Sequence, residues 1–392
     1  MERKLIAIIT TALIVGIFLS QALIAFAEGL TVIYFFKYVC PKVNKSWFSG
    51  EEGKDFKSIL VLNIVTVYGM LISSNISNGW KVGKSSLHIV LMPLINHFVK
   101  ILSFDKTWLI LKIVFLAECS FALYNAINSG NYQMRHHGLL YCGIDGLFSS
   151  ALFIFIIFKI SHYHIHKFDR LIAFLAFSFV LLSQSRAAFI AVLILTPICL
   201  FRSEIKFKVI TSVLIIFCVM FFMPQKYITY MTDSIHTAKK EYKDSNKLSS
   251  IGGRFELWKA AYISIVETKG VGTGYGDFHK DLDDFIDTGK IGTIANKMHL
   301  HNIFLQPLMC AGVLGLIGII YTLASLFYYQ WIKKSNAYKL RCIIILHIVL
   351  TGMFDAHFEH SRKILFYCIL WSLCAVLESS NIEKIKKNKI AV

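Results

Sequence analysis

The chain is divided into apolar stretches too long and too numerous for the core of a water-soluble globule. Runs bounded by charge or by Gly, Asn and Pro clusters are read at about 5–20, 22–39, 57–76, 84–103, 107–127, 142–160, 169–183, 187–201, 207–223, 302–329, 341–357 and 363–378. Roughly 20 apolar residues span the hydrocarbon layer of a bilayer as a helix, and lipid offers no water to satisfy an open sheet edge. Continuous runs of this length therefore predict helices, whereas a barrel would show short alternating strands. Hydrophobic residues make up 56% of the 392 residues and mean hydropathy is +0.59, which excludes a soluble domain. The expectation is an all-α integral membrane protein with about 12 transmembrane helices. The first two runs also fit one long tilted helix. The opening residues resemble a signal peptide with Ala25-Phe26-Ala27 at the cleavage position, but apolar sequence resumes at Leu30, so a retained membrane entry segment is expected.

The formal charge of +17 raises the question of a nucleic-acid partner. Position answers it. With the N-terminus in the cytoplasm, alternate loops and span edges carry roughly 23 Lys and Arg on the inside against about 6 in the short loops outside. The excess is a topology signal, no nucleic acid is expected, and even parity returns the basic tail of Lys384, Lys386, Lys387 and Lys389 to the cytoplasm. The nine cysteines lie mostly in apolar runs with no C-x-x-C pair, as buried thiols would.

One connection differs in kind. Residues 224–300 form a polar stretch far longer than an ordinary loop, placed outside by the charge pattern. Three regions follow: 1–223, an N-terminal bundle of about nine helices; 224–300, a partly helical exoplasmic loop domain; and 301–392, the last spans and the basic tail. Within the loop, Thr232 to Lys247 predicts a solvated helix. Leu257, Trp258, Ala261, Tyr262, Ile265 and Val266 recur at helical spacing and predict a second over about 254–269, stopped by Gly270.

Several groups have chemical potential. Arg186, in "SQSRAAF", and Arg254, in "GGRFELW", sit at span or helix starts, where a guanidinium beside free backbone N–H groups makes a phosphate site; each alone also fits a solvated or snorkelling arginine. "GVGTGYG" follows a helix, so Gly272 and Gly274 favour close backbone approach over a nucleotide fingerprint. "DLDDFID", 281–287, reads as a solvated acidic face before a metal site, and "HYHIH", His162 to His166, as an interfacial anchor. In "HLHNIFLQ", His301 falls in the first turn of an apolar run, where the helix dipole would favour the neutral, basic imidazole. His299, two residues earlier, is assigned to the polar loop. Asp355 near the outer end of a later span fits a base-orienting or sugar-binding carboxylate. The charge-derived topology puts Arg186, Arg254, His301 and Asp355 on one face.

At "SQSRAAF", "GGRFELW" with "GVGTGYG", and "HLHNIFLQ", where His301-Asn302 falls on a loop-to-helix motif, the chain resembles the O-antigen ligase family within the ligase and polymerase superfamily of bacterial surface polysaccharides. The resemblance implies a GT-C-like, inverting, metal-independent glycosyltransferase of the Gram-negative inner membrane. It would transfer O-antigen polysaccharide from undecaprenyl pyrophosphate to a sugar hydroxyl of lipid A-core on the periplasmic side, without a cofactor. It implies pyrophosphate binding by Arg186 and Arg254 and a general base at His301, with Asp355, His299, Asn302, Gly272 and Gly274 in support. An O-antigen polymerase using the same donor is the nearest alternative. A polysaccharide or solute transporter, which would pair charges near the bilayer midplane, is a more distant one.

Overall fold

The computed structural model describes residues 2–42, 50–129, 142–163, 166–183, 185–200, 252–294, 299–333, 335–355, 357–358 and 360–390. Every regular element among them is helical. The helices are α1 Glu2–Leu19, α2 Gln21–Tyr34, α3 Glu51–Leu71, α4 Ile76–Gly83, α5 Met92–Leu102, α6 Phe104–Ser129, α7 Cys142–His162, α8 Lys167–Leu182, α9 Arg186–Leu200, α10 Gly252–Glu267, α11 Phe278–Asp287, α12 Leu305–Trp331, α13 Asn336–Gly352 and α14 Ser361–Ile390. Four stretches are long and apolar enough to cross a bilayer unaided: Gln21–Val39, Ile76–Leu102, Phe104–Asn125 and Leu305–Trp331. The expected runs at 207–223 and 232–247 lie outside the described residues. So does His164 of "HYHIH", whose neighbour His162 stacks on Phe158 and contacts its carbonyl at 3.1 Å.

The first two runs are two helices and not one. Ser20 caps α2 by accepting from Ala22 N, and the Tyr34 hydroxyl donates to Glu2 Oε1 at 2.8 Å, so α2 folds back along α1 as an antiparallel hairpin. The C-terminal helix runs through the middle of the bundle: Ile364 to Cys374 of α14 are all buried, as is Leu147 to Phe158 of α7. A helix apolar on every side belongs in an interior. Rings of Phe18, Phe148 and Phe366 meet there at 4.3–6.1 Å and tie α1, α7 and α14 together. Among the described cysteines only Cys40 is exposed.

Two networks of buried charge lie among the described helices. Asp169 accepts from Lys159, Lys112 and Trp108, and Asp55 accepts from Trp371 while Gln330 bridges towards Arg341. These networks satisfy charges that lipid or core would otherwise penalise heavily.

One end of the bundle carries a second, smaller core, where α10, α11 and the chain around them pack Leu257, Ala261, Tyr275, Phe278, Leu282 and Phe285 against Met70 of α3 and Met309 of α12. Phe278, Leu282 and Phe285 face inward at helical spacing and leave Asp283, Asp284 and Asp287 in solvent, the expected acidic face. The glycine loop after α10 fastens this core to the bundle. α12 is broken at Ala311 and Gly312, and the loop supplies what the break leaves unmet: Thr273 N donates to Met309 O, Gly274 N to Cys310 O, and Gly270 O accepts from Val313 N, each at 2.9 Å. Gly272, at φ +92°, lies so close that a Cβ there would fall 2.4 Å from Gly312 N. Gly272→Ala should therefore destabilise the fold by roughly 3 kcal/mol, combining left-handed strain with a backbone clash, and lower the melting midpoint of the purified protein in detergent.

Candidate functional site

His301 sits where the small core meets the bundle, held on three sides by backbone contacts. Leu300 O accepts from the Trp258 indole at 3.1 Å and Leu300 N donates to Gln306 Oε1 at 2.7 Å. Ile303 N donates to Gly352 O at 2.8 Å and Asn302 Nδ2 to Met353 O at 3.2 Å. A side chain at Gly352 would press within 2.6 Å of Ile303, so that position keeps the two segments together. The histidine loop is thus fixed against the turn that carries Asp355.

This placement corrects the reading of His301 as a first-turn helical residue. The helix begins at Leu305, and Asn302 caps it by accepting from Phe304 N at 2.9 Å and Leu305 N at 3.1 Å. His301 precedes the cap in the left-handed region at φ +51°, a conformation that costs a β-carbon residue energy and that the surrounding contacts hold. The helix dipole is therefore not what keeps its imidazole neutral. Burial lowers its pKa to about 3, and the neighbouring His299 ring and the Arg254 guanidinium act in the same direction.

His301 Nδ1 lies 3.9 Å from Asp355 Oδ1, and the other carboxylate oxygen accepts from Lys363 Nζ at 2.6 Å. The first distance is too long for a hydrogen bond but short enough for strong electrostatic coupling, and such contacts close when a substrate binds. With Nδ1 towards the carboxylate, Nε2 is the nitrogen left to take a proton. Lys363 is buried, and despite the cost of burial its ammonium holds Asp355 well below the usual carboxylate range.

His299 belongs to the loop before the helix, as the sequence put it, but it is not solvated there. It is buried, with its ring edge-on to His301 at 4.0 Å and to His360 at 5.6 Å, and burial brings it to about 4. Three imidazoles thus lie side by side, all neutral above pH 5. Gly272 and Gly274, expected to support the site, are engaged in the α12 break. Arg254 is half-buried in the first turn of α10, as expected, and acts on both histidines through its charge. Arg186 heads α9 at the same end of the bundle: Ser183 and Ser185 beside it crowd Gly146 of α7, and Ser150, one turn on, reaches His347 of α13 at 2.8 Å.

Lys363 and His360 escaped the sequence reading. The signal was the cluster "HSRK" at the start of an apolar run, which reads as an ordinary interfacial anchor.

Ligand atoms of His299, His301 and Asp355 lie within 4.8 Å of one another, a spacing a metal ion could use. The surrounding charge points the other way. Asp355 is already neutralised by Lys363, and Arg254 adds a further cation, so the pocket offers a dication little and an anion much.

The apolar helices define a class: a multi-pass helical membrane protein, with a neutral imidazole beside cations at one end of its bundle. Residues 171–320, which include Arg186, Arg254 and His301, match the O-Antigen ligase family, and the chain carries a domain of that family there. An uncharacterized protein of Haemophilus influenzae is 32% identical over 111 residues, a match spanning 27% of this chain and 27% of that relative.

Because His301 is depressed, activity that depends on its neutral form should show no half-loss near pH 6.5. Any such activity of the purified protein in liposomes is expected to hold from pH 8 down to about 5. The stability linkage has the same sign: the group contributes fully above the unfolded value of 6.5, and its contribution is lost as pH falls from 6.5 towards 3.

Proposed function

We propose that this protein is an inverting glycosyltransferase that moves O-antigen polysaccharide from undecaprenyl pyrophosphate to a sugar hydroxyl of lipid A-core. It works at the periplasmic face of a Gram-negative inner membrane, in a GT-C-like fold of about twelve spans with both termini in the cytoplasm. The observation that carries the reading is a half-buried, neutral His301, backed by Asp355 and Lys363 and facing the charge of Arg254, within an O-antigen ligase domain.

The chemistry follows from these groups. His301 Nε2 removes the proton of the attacking hydroxyl, and Asp355 steadies the imidazolium that forms. The hydroxyl oxygen bonds to the anomeric carbon from the side opposite the leaving group, the carbon–oxygen bond to the pyrophosphate breaks, and undecaprenyl pyrophosphate leaves with the electron pair. Arg254 and Arg186 hold the pyrophosphate and take up the charge developing on it, a task many soluble transferases give to a divalent ion. Arg254→Lys should cut transfer by about 10²–10³-fold, because an ammonium cannot reproduce the planar two-point grip on phosphate; densitometry of decorated lipopolysaccharide checks this.

A lipopolysaccharide gel of a deletion strain tests the assignment. Loss of all polymer with intact core supports the ligase; core capped with one repeat unit indicates a polymerase, and a normal ladder refutes both.

A further inference from the structure

Helix α10 is apolar on two opposite sides. With successive residues about 100° apart around a helix, Leu257, Ala260, Ala261 and Ser264 cluster on one face and are buried in the small core. Phe255, Tyr262 and Val266 fall on the diametrically opposite face, exposed by 51%, 70% and 59%. Only Lys259 shares that stripe, and a lysine there can send its ammonium outwards while its stem lies along the apolar surface. A water-facing helix would carry polar residues at these positions.

The stripe does not end with the helix. Val271 follows it, also exposed, and the Gly270 carbonyl fastens this corner to Val313 N. Val313 is where α12 first becomes exposed. From there Val313, Leu314, Ile317 and Ile320 form the outward face of the membrane-crossing stretch Leu305–Trp331. The apolar surface of α10 is thus continuous with a surface that faces lipid tails. Phe255, packed edge-on to Trp258 at 5.5 Å, and Tyr262 add the aromatic character found at the headgroup boundary, and exposed Lys269 lies beside the corner.

We propose that the outer face of α10 is a membrane-surface site: the helix lies on its side in the leaflet at the His301 end, with Phe255, Tyr262, Val266 and Val271 among lipid headgroups and upper acyl chains. This deepens the proposed function and rests on it for its consequence. A helix fixed at that depth holds Arg254, in its first turn, at the level of lipid phosphates, so a membrane-bound pyrophosphate reaches the guanidinium without leaving the bilayer.

Photo-crosslinking tests the placement without any turnover, so the result stands whether or not the chain is a transferase. Benzoylphenylalanine replaces Tyr262, and in separate proteins Ile317 and Asp283, in proteoliposomes of phosphatidylethanolamine and phosphatidylglycerol; after irradiation, mass spectrometry reads the adducts. Tyr262→benzoylphenylalanine should give phospholipid adducts at a yield comparable to the Ile317 position and about tenfold above the Asp283 position. A yield no higher than at Asp283 would overturn the proposal, as would crosslinks to residues 224–251 of the same chain in place of lipid.

Discussion

His301→Ala is expected to leave the protein folded and inserted in the membrane while reducing glycan transfer by about 10²–10⁴-fold, the range lost with a positioned general base. Insertion depends on the apolar spans, to which a half-buried loop residue adds little. The backbone here is held by Trp258, Gln306, Gly352 and Met353, none of which bonds the imidazole. The change also removes only one of three neighbouring histidines. His299 has its Nδ1 unpartnered and buried and lies against the same space, so residual activity would show a different pH dependence. Densitometry of decorated lipopolysaccharide, normalised to protein in the membrane fraction, gives the measurement. Undiminished transfer by this variant would remove the base from His301 altogether.

Lys363→Met is expected to act twice. The ammonium is buried and 2.6 Å from Asp355, so its removal strands a carboxylate with little solvent. Breaking a fully buried pair costs about 3–5 kcal/mol; Asp355 keeps some exposure, so roughly 2–3 kcal/mol is expected, seen as a lower melting midpoint. The second effect is on His301. Lys363 lowers its pKa and Asp355 raises it, so losing the lysine removes a cation and releases a carboxylate, and both changes favour the imidazolium. The acid limb of transfer should move upward in pH, with activity at pH 6 falling more than at pH 8. A variant that loses stability with an unmoved pH profile would make Lys363 a structural residue alone. Lys363→Arg, which keeps the charge, should restore the profile in part.

Much of the candidate site was legible before the structure because its residues sit at helix starts, and helix starts follow from local pattern. Arg254 could be placed in a first turn because Leu257, Trp258, Ala261, Tyr262, Ile265 and Val266 recur at helical spacing after it. His301 was found by the same logic, but the detail was misread. The apolar run begins at residue 302, but Asn302 gives its side chain to the cap, accepting from Phe304 N and Leu305 N, and leaves His301 outside the helix. Cap geometry of that kind depends on which side chain bonds which amide, and hydropathy carries no information about it.

The sequence by itself determined the all-helical membrane class and the existence of the helix that begins near Arg254, but not which of its apolar residues face the small core: Leu257 and Ala261 do, whereas Tyr262 and Val266 point away from it. The class and the helix follow from periodicity and from the cost of exposing backbone in lipid, both properties of a chain read locally. Only tertiary structure decided that His301 adopts a left-handed turn, that His299 is buried beside it, that Lys363 neutralises Asp355, and that the glycine loop completes a broken helix. The histidine loop is pinned to the turn that carries Asp355, and the glycine loop to α12, by contacts between distant segments, such as Asn302 and Met353, 51 residues apart. Whether two such groups meet, and so what proton affinity each has, is set by packing around them and not by the residues on either side.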